Sequence, residues 1–296
     1  MKKTWLEVSL NGPWGRARQP GIPVAVGEIV EEAAACAKAG AAIVHVHAYD
    51  EATGKQRDDA ELYARIISEI RNRSDAIVYP TIPIVGLPGH PGSQTPQERF
   101  AHVEELARRG LLEWAVVDPG SVNFAHYDDL REDKPGFVYL NPEEHIRHGL
   151  DLARRYRFHP AYAIYEPGFL RLGATLHWRC SCPMPIYRFM FSSGYTFGFP
   201  PDDFGLTAYL TLLDKVAPGA QWMVGGLSVD VVPLIPRIVM EGGHVRVGLE
   251  DAPLRSGCSN LQWVEAAVNS VDNAGGELAT PGEIRAFLKA VEMGDG

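Results

Sequence analysis

Short apolar, β-branched runs alternate along this chain with longer stretches of helical period, and the alternation repeats eight times. Repetition of that kind is the pattern of βα units wound around a parallel sheet. The predicted strands are Leu6–Leu10, Ala42–Ala48, Ala76–Thr81, Trp114–Val117, Ala161–Tyr165, Arg188–Phe191, Trp222–Val224 and Val245–Leu249. Each has the apolar character of a strand covered on both faces. Between them, helical period predicts helices at Gly27–Ala39, Asp59–Arg71, Pro96–Arg109, Pro142–Tyr156, Pro201–Lys215, Asp230–Glu241 and Asn260–Asn273, several with Pro or Asp in the first turn. The helix count also reaches eight when the short EPGFLRLGA stretch after the fifth strand is included. A last segment, Thr280–Val291, carries its own Thr cap and an early Pro, which predicts an extra C-terminal helix.

A length of 296 residues suits two domains of about 150 residues, or one α/β barrel of about 250. No internal repeat, low-complexity tract or linker divides the chain, so the expected architecture is α/β: a (β/α)8 TIM barrel, with residues 1–296 as a single domain. Two longer insertions, Ile82–Thr95 and Asp118–Leu140, directly follow predicted strands, on the face where barrel enzymes work.

A formal charge of −9 without a basic run argues against nucleic acid as a partner. The N-terminus lacks an apolar signal core, and no stretch approaches a membrane span, so no membrane association is expected. Cys36, Cys180, Cys182 and Cys258 lack disulfide-framework spacing and suit a reducing, cytoplasmic setting.

The sharpest local feature is AAIVHVHAYD, which sets His45 and His47 two apart at the end of the second strand. A strand period of two projects both imidazoles from one face, where they could hold one ion or could be hydrogen-bonded core histidines. The segment HVRVGLED offers a third donor, because the same alternation puts Arg246, Gly248 and Glu250 on one face, with Asp251 just beyond. A rim salt-bridge network is the alternative for these residues. In a barrel the eighth strand lies beside the first, and two imidazoles with one carboxylate are a ligand set of catalytic zinc. Lys2, Lys3, Lys38, Lys55, Lys134, Lys215 and Lys289 all fall outside the predicted strands, which disfavours a Schiff-base lysine. Carbonyl activation by a metal acting as a Lewis acid is the natural substitute. Glu166, ending the fifth strand, either lines the pocket or caps the next helix. His177, Cys180 and Cys182 fall short of a four-ligand zinc set, and the FSSG and VGG turns are weak phosphate signals.

HVH on strand two, DPGSVNF after strand four, YEPGF after strand five, WMVGG on strand seven, and GGHVRVGLED followed by SNLQWVEAAV together resemble the β-keto acid cleavage enzyme family, over nearly the whole chain. The resemblance implies a zinc-dependent barrel that combines a β-keto acid with acetyl-CoA and yields acetoacetate and a new acyl-CoA. It implies His45, His47 and Glu250 as zinc ligands, Asp251 and Arg246 as the acid–base pair, and a homo-oligomer, dimer or tetramer. The expected chemistry has the zinc polarise the keto oxygen while the carboxylate takes a proton from the acetyl methyl, whose carbanion attacks the ketone. Asn11, Trp14, Thr81 and Glu166 are expected to face the substrate. The chain departs from the family where a Q-x-S-T-G-G stretch is usual: VYPTIP puts Pro80 at the serine's position and keeps Thr81. Val116 replaces a hydroxyl residue on strand four, and Asn11 and Trp14 replace smaller or acidic residues. These changes imply a different keto acid, bulkier or more apolar near Trp14, or a changed reaction. The competing classes are a metal-dependent carbonyl hydrolase or lyase working without CoA, and a non-catalytic metal- or metabolite-binding barrel.

Overall fold

The eight expected strands all form in the computed structural model, which describes residues 2–85 and 94–294. They are β1 (Leu6–Ser9), β2 (Ile43–Val46), β3 (Ile77–Pro80), β4 (Trp114–Val116), β5 (His159–Ile164), β6 (Ile186–Phe191), β7 (Trp222–Gly226) and β8 (His244–Val247). Parallel ladders join them in the order β3-β2-β1-β8-β7-β6-β5-β4. The outer strands β3 and β4 also touch, which leaves the barrel nearly closed. Apart from His159, every residue in these strands is buried. That follows from a sheet with helices outside and side chains packed within.

Besides two short helical turns of four and five residues, Gly15–Arg18 and Tyr127–Arg131, the helices are α1 (Val26–Ala39), α2 (Ala60–Arg71), α3 (Pro96–Arg108), α4 (Glu143–Tyr156), α5 (Pro167–Cys180), α6 (Asp203–Val216), α7 (Ile235–Met240), α8 (Asn260–Asn273) and α9 (Pro281–Met293). Three expectations need correction. The short EPGFLRLGA stretch counted as the eighth helix is the start of a longer, 14-residue helix, α5, so His177 and Cys180 belong to its last turn. Asp230–Glu241 is a 3-10 turn, Val232–Leu234, followed by a six-residue helix, because Pro233 and Pro236 remove two backbone donors. Strand β8 stops at Val247 instead of Leu249, because Gly248 turns the chain at φ +131°. The turn brings the Glu250 backbone N–H to the Ser9 carbonyl at 3.2 Å, so the turn sets Glu250's position.

At Gly248 a Cβ would stand 2.2 Å from the Ser9 carbonyl oxygen, a backbone atom that cannot swing aside. Gly248→Ala should lose at least the ~1–3 kcal/mol of a strained backbone and displace Glu250. Thermal melting and metal content should fall together; an unchanged melting temperature would count against this account of the turn.

The insertion Asp118–Leu140 folds as an antiparallel hairpin, Val122–Phe124 with Phe137–Tyr139, around a short helix at Tyr127–Arg131. Most of the Ile82–Thr95 insertion lies outside the described residues. Buried Arg99 of α3 ties the two regions together, with Nε donating to the Pro83 carbonyl (3.1 Å), Nη1 to the Leu140 carbonyl (3.1 Å) and Nη2 to Asn141 Oδ1 (2.7 Å). Among the described residues no helix is long and apolar enough to cross a membrane.

Candidate active site

At the carboxyl ends of the strands, period two decides which side chains enter the barrel mouth. From β2 comes His45, from the residue just beyond its end His47, from β8 Arg246, and from the turn beyond that strand Glu250; all four line one cavity of about 210 Å³. His45 Nε2 lies 3.5 Å from Glu250 Oε2, and His47 Nε2 lies 3.4 Å from Glu250 Oε1. One donor atom from each of the three residues falls within 4.8 Å of the others. Two atoms bound tetrahedrally to one ion at about 2.0–2.1 Å stand roughly 3.4 Å apart. His47 Nε2 and Glu250 Oε2 are buried and form no hydrogen bond, a costly state that a cation between them would relieve. The three residues therefore fit a metal ion.

Neighbouring groups orient these donors. The Gln56 amide nitrogen donates to both oxygens of Asp58, at 2.9 and 3.0 Å, which turns Gln56 Oε1 toward His47. His47 Nδ1 stands 2.8 Å from that amide oxygen and donates to it, so in the neutral tautomer the lone pair is on Nε2, the nitrogen nearest Glu250. Burial drives the His45 imidazole well below its ordinary pKa, with Glu250 opposing, so this ring is neutral and free to ligate. Burial alone would raise the Glu250 carboxyl, but the Arg246 guanidinium above all pulls it well below the usual range. Gln56→Ala should free the His47 ring and weaken metal affinity about 10- to 100-fold; competition with a chelator measures this, and unchanged affinity would deny Gln56 the orienting role.

Arg246 holds Asp251 in a bidentate pair, Nε to Oδ2 and Nη2 to Oδ1, both at 2.8 Å. Its Nη2 also lies 3.0 Å from Glu250 Oε1, and its Nη1 donates to Glu7 Oε1 at 3.1 Å. Burial raises the Asp251 carboxyl against the pull of Arg246. Arg246 is on the cavity wall; Asp251 is not among the lining residues described.

Of the side chains expected to face substrate, Trp14 and Thr81 line the cavity, and Trp14 Nε1 also donates to the Glu250 carbonyl at 2.8 Å. Asn11 and Glu166 do not line it. Fully buried Asn11 accepts from the His47 N–H and donates to the His47 carbonyl, both at 2.9 Å, and to the Pro23 carbonyl at 3.0 Å. It braces the strand beneath His47. Glu166 points away because alternation turns Ala163 and Tyr165 inward instead, and its Oε1 accepts from the Gly198 N–H at 3.2 Å. Val116 lines the cavity as an apolar patch; Pro80 does not line it.

Sequence reasoning missed several residues. Glu7 of β1 and Arg188 of β6 are 0% and 2% exposed, charged side chains within buried strands, and that placement was the available signal. Tyr79, Gln56 and Asp118 carried none. The hairpin adds Phe124, Phe137 and Tyr139 to the wall, beside Tyr165 and Tyr195, so one side is largely aromatic. The lysines stay outside the barrel strands, as expected; Lys55 sits in a two-residue strand of a separate hairpin.

Residues 3–289 match the family described as beta-keto acid cleavage enzyme. Among curated relatives, the chain is 29% identical to a 3-dehydrocarnitine:acetyl-CoA trimethylamine transferase of Rhizobium meliloti (strain 1021), over 90% of each chain. It is 26% identical to a 3-keto-5-aminohexanoate cleavage enzyme of Fusobacterium nucleatum, over 92% of each. Among solved structures, apo ObcA superposes with a TM-score of 0.71 at 15% identity, covering 93% of this chain and 66% of that longer one. At that identity the superposition speaks for the fold alone.

Proposed function

Because this chain belongs to the beta-keto acid cleavage enzyme family, within which its relatives are named as acetyl-CoA-dependent transferases and cleavage enzymes, we propose that it is a zinc-dependent enzyme converting a β-keto acid and acetyl-CoA into acetoacetate and a new acyl-CoA. The observation carrying this reading is the spacing of His45, His47 and Glu250 in the barrel mouth, with buried donor atoms left unpartnered. A zinc ion held there would supply Lewis-acid polarisation of the keto oxygen.

Atom balance corrects the expected order of steps. Were the acetyl methyl to attack the ketone, cleavage of that adduct would release acetate or return the reactants. Acetoacetate forms when the proton leaves C2 of the keto acid, the carbon between ketone and carboxylate. The C2 carbanion then adds to the thioester carbonyl and CoA departs as thiolate. That thiolate adds to the original keto carbon, and the C2–C3 bond breaks with its electron pair on C2. The proton returns to C2, giving acetoacetate and the new acyl-CoA.

Residues of this chain divide the work. Asp251 is the group able to hold the proton, since burial raises its carboxyl and a guanidinium stays protonated. Arg246 fixes that carboxylate from two sides and presents its own charge on the cavity wall, where negative charge develops on the substrate. Trp14, Phe124, Phe137 and Tyr165 exclude water from the carbanion and suit a keto acid with an apolar substituent. Elemental analysis of the purified protein, followed by an acetyl-CoA-dependent screen of β-keto acids, tests the proposal. Near-stoichiometric zinc and acetoacetate formation are expected; a zinc-loaded sample inactive across a broad panel would defeat it.

A further inference from the structure

We propose that Arg188 is the residue that takes the carboxylate of the keto acid, in place of the hydroxyls absent at Pro80 and Val116. The inference rests on the function proposed above and assigns its substrate-anchoring group. Arg188 comes from the middle of β6, is 2% exposed, and lines the cavity. Among the described residues only its Nη1 is engaged, donating to the Tyr79 hydroxyl at 2.8 Å and, more weakly, to Glu7 Oε1 at 3.4 Å. Its Nε is buried without a partner. A guanidinium shielded from water with donors unused is costly unless a ligand completes it, and a carboxylate matches the guanidinium fork.

Outside the metal donors, the other charged groups on this wall are committed or exposed. Arg246 spends all three nitrogens on Asp251, Glu250 and Glu7. Asp118 accepts from the Ala163 N–H at 2.8 Å and from the Tyr139 hydroxyl at 2.7 Å, and as an acid it would repel an anion. Arg18 is exposed at the rim, where it stacks 4.7 Å from the Trp14 ring and donates to the Tyr195 hydroxyl. Arg188 is thus the buried cation with donors to spare. It pairs across the ladder with Ala163, whose small side chain leaves the guanidinium uncovered. Holding the acid at Arg188 and the ketone at the metal site fixes the keto acid at both ends and leaves C2 between them.

The test compares acetoacetate with its methyl ester as probes, by calorimetric titration of the zinc-loaded protein, for the parent, Arg188→Gln and Arg188→Lys. The parent should prefer the acid by about 10- to 100-fold, the range of a charge-assisted hydrogen bond. Arg188→Gln should erase that preference and Arg188→Lys restore part of it. In turnover, KM for the keto acid should rise in Arg188→Gln with little change in KM for acetyl-CoA. A folded Arg188→Gln that keeps the acid preference overturns the inference, as does a rise confined to the acetyl-CoA KM. Should Arg188→Gln melt early, Arg188→Lys, which keeps a charge beside Glu7, decides alone: an acid preference equal to the parent's, with no fall, overturns the inference. An Arg188-dependent preference in a protein without acetyl-CoA turnover would sink the proposed reaction while sustaining the carboxylate site. Normal turnover with Arg188 dispensable would do the reverse.

Discussion

Replacing His45 by alanine should strip the protein of its metal and its turnover together while leaving the barrel folded. The ring is buried at the mouth, and its Nε2 is one of the donors around the common centre with His47 and Glu250. Two remaining ligands make a poor zinc site, since catalytic zinc is held by three protein groups. Lewis-acid activation is worth several kcal/mol, so kcat/KM should fall by about 10³-fold or more. Melting should be compared between metal-free samples, because bound metal stabilises the parent by mass action. Metal-free His45→Ala and metal-free parent should melt within a few degrees of each other, since the core clusters around β-strand and helix residues from Trp5 to Leu288. Full metal retention in His45→Ala would show that the two imidazoles and the carboxylate do not share one ion.

Asp251→Asn should lower kcat by about 10²- to 10⁴-fold, the usual range for a general acid–base group, with metal content retained. The amide can still accept one hydrogen bond from Arg246 but cannot take a proton. Exchange of the C2 hydrogens of acetoacetate in heavy water isolates the proton step. It should fall to the uncatalysed background in the variant. Retained exchange would reduce Asp251 to a brace for Arg246, a role its bidentate hold at 2.8 Å would also permit.

Most of the barrel was legible because the strands are short, buried on both faces and spaced by helices of ordinary length. Boundaries shifted where backbone chemistry intervened: Gly248 ended β8 early and two prolines shortened α7. The metal donors were legible because His45 and His47 lie two residues apart on one strand. The substrate wall was much less so. Asn11 looked like a substrate group yet braces His47, and Arg188 passed unnoticed though it faces the cavity. Phe124, Phe137 and Tyr139 reach the mouth only because the Asp118–Leu140 insertion folds back as a hairpin.

From the order of its residues alone, this protein is bound to eight βα units and to the alternation that turns His45, His47, Arg246 and Arg188 to one side of their strands. Both properties depend on neighbours in the chain, where a period of two or of 3.6 is set by backbone geometry. Which inward side chains meet is decided by closure of the sheet and by the turns at its rim. Residues 45 and 250 become neighbours because β8 and β2 both flank β1, and Glu7, Tyr79, Arg188 and Arg246 join in one network because four strands converge on a common axis. Such contacts depend on distances across the barrel, which no local pattern along the chain encodes.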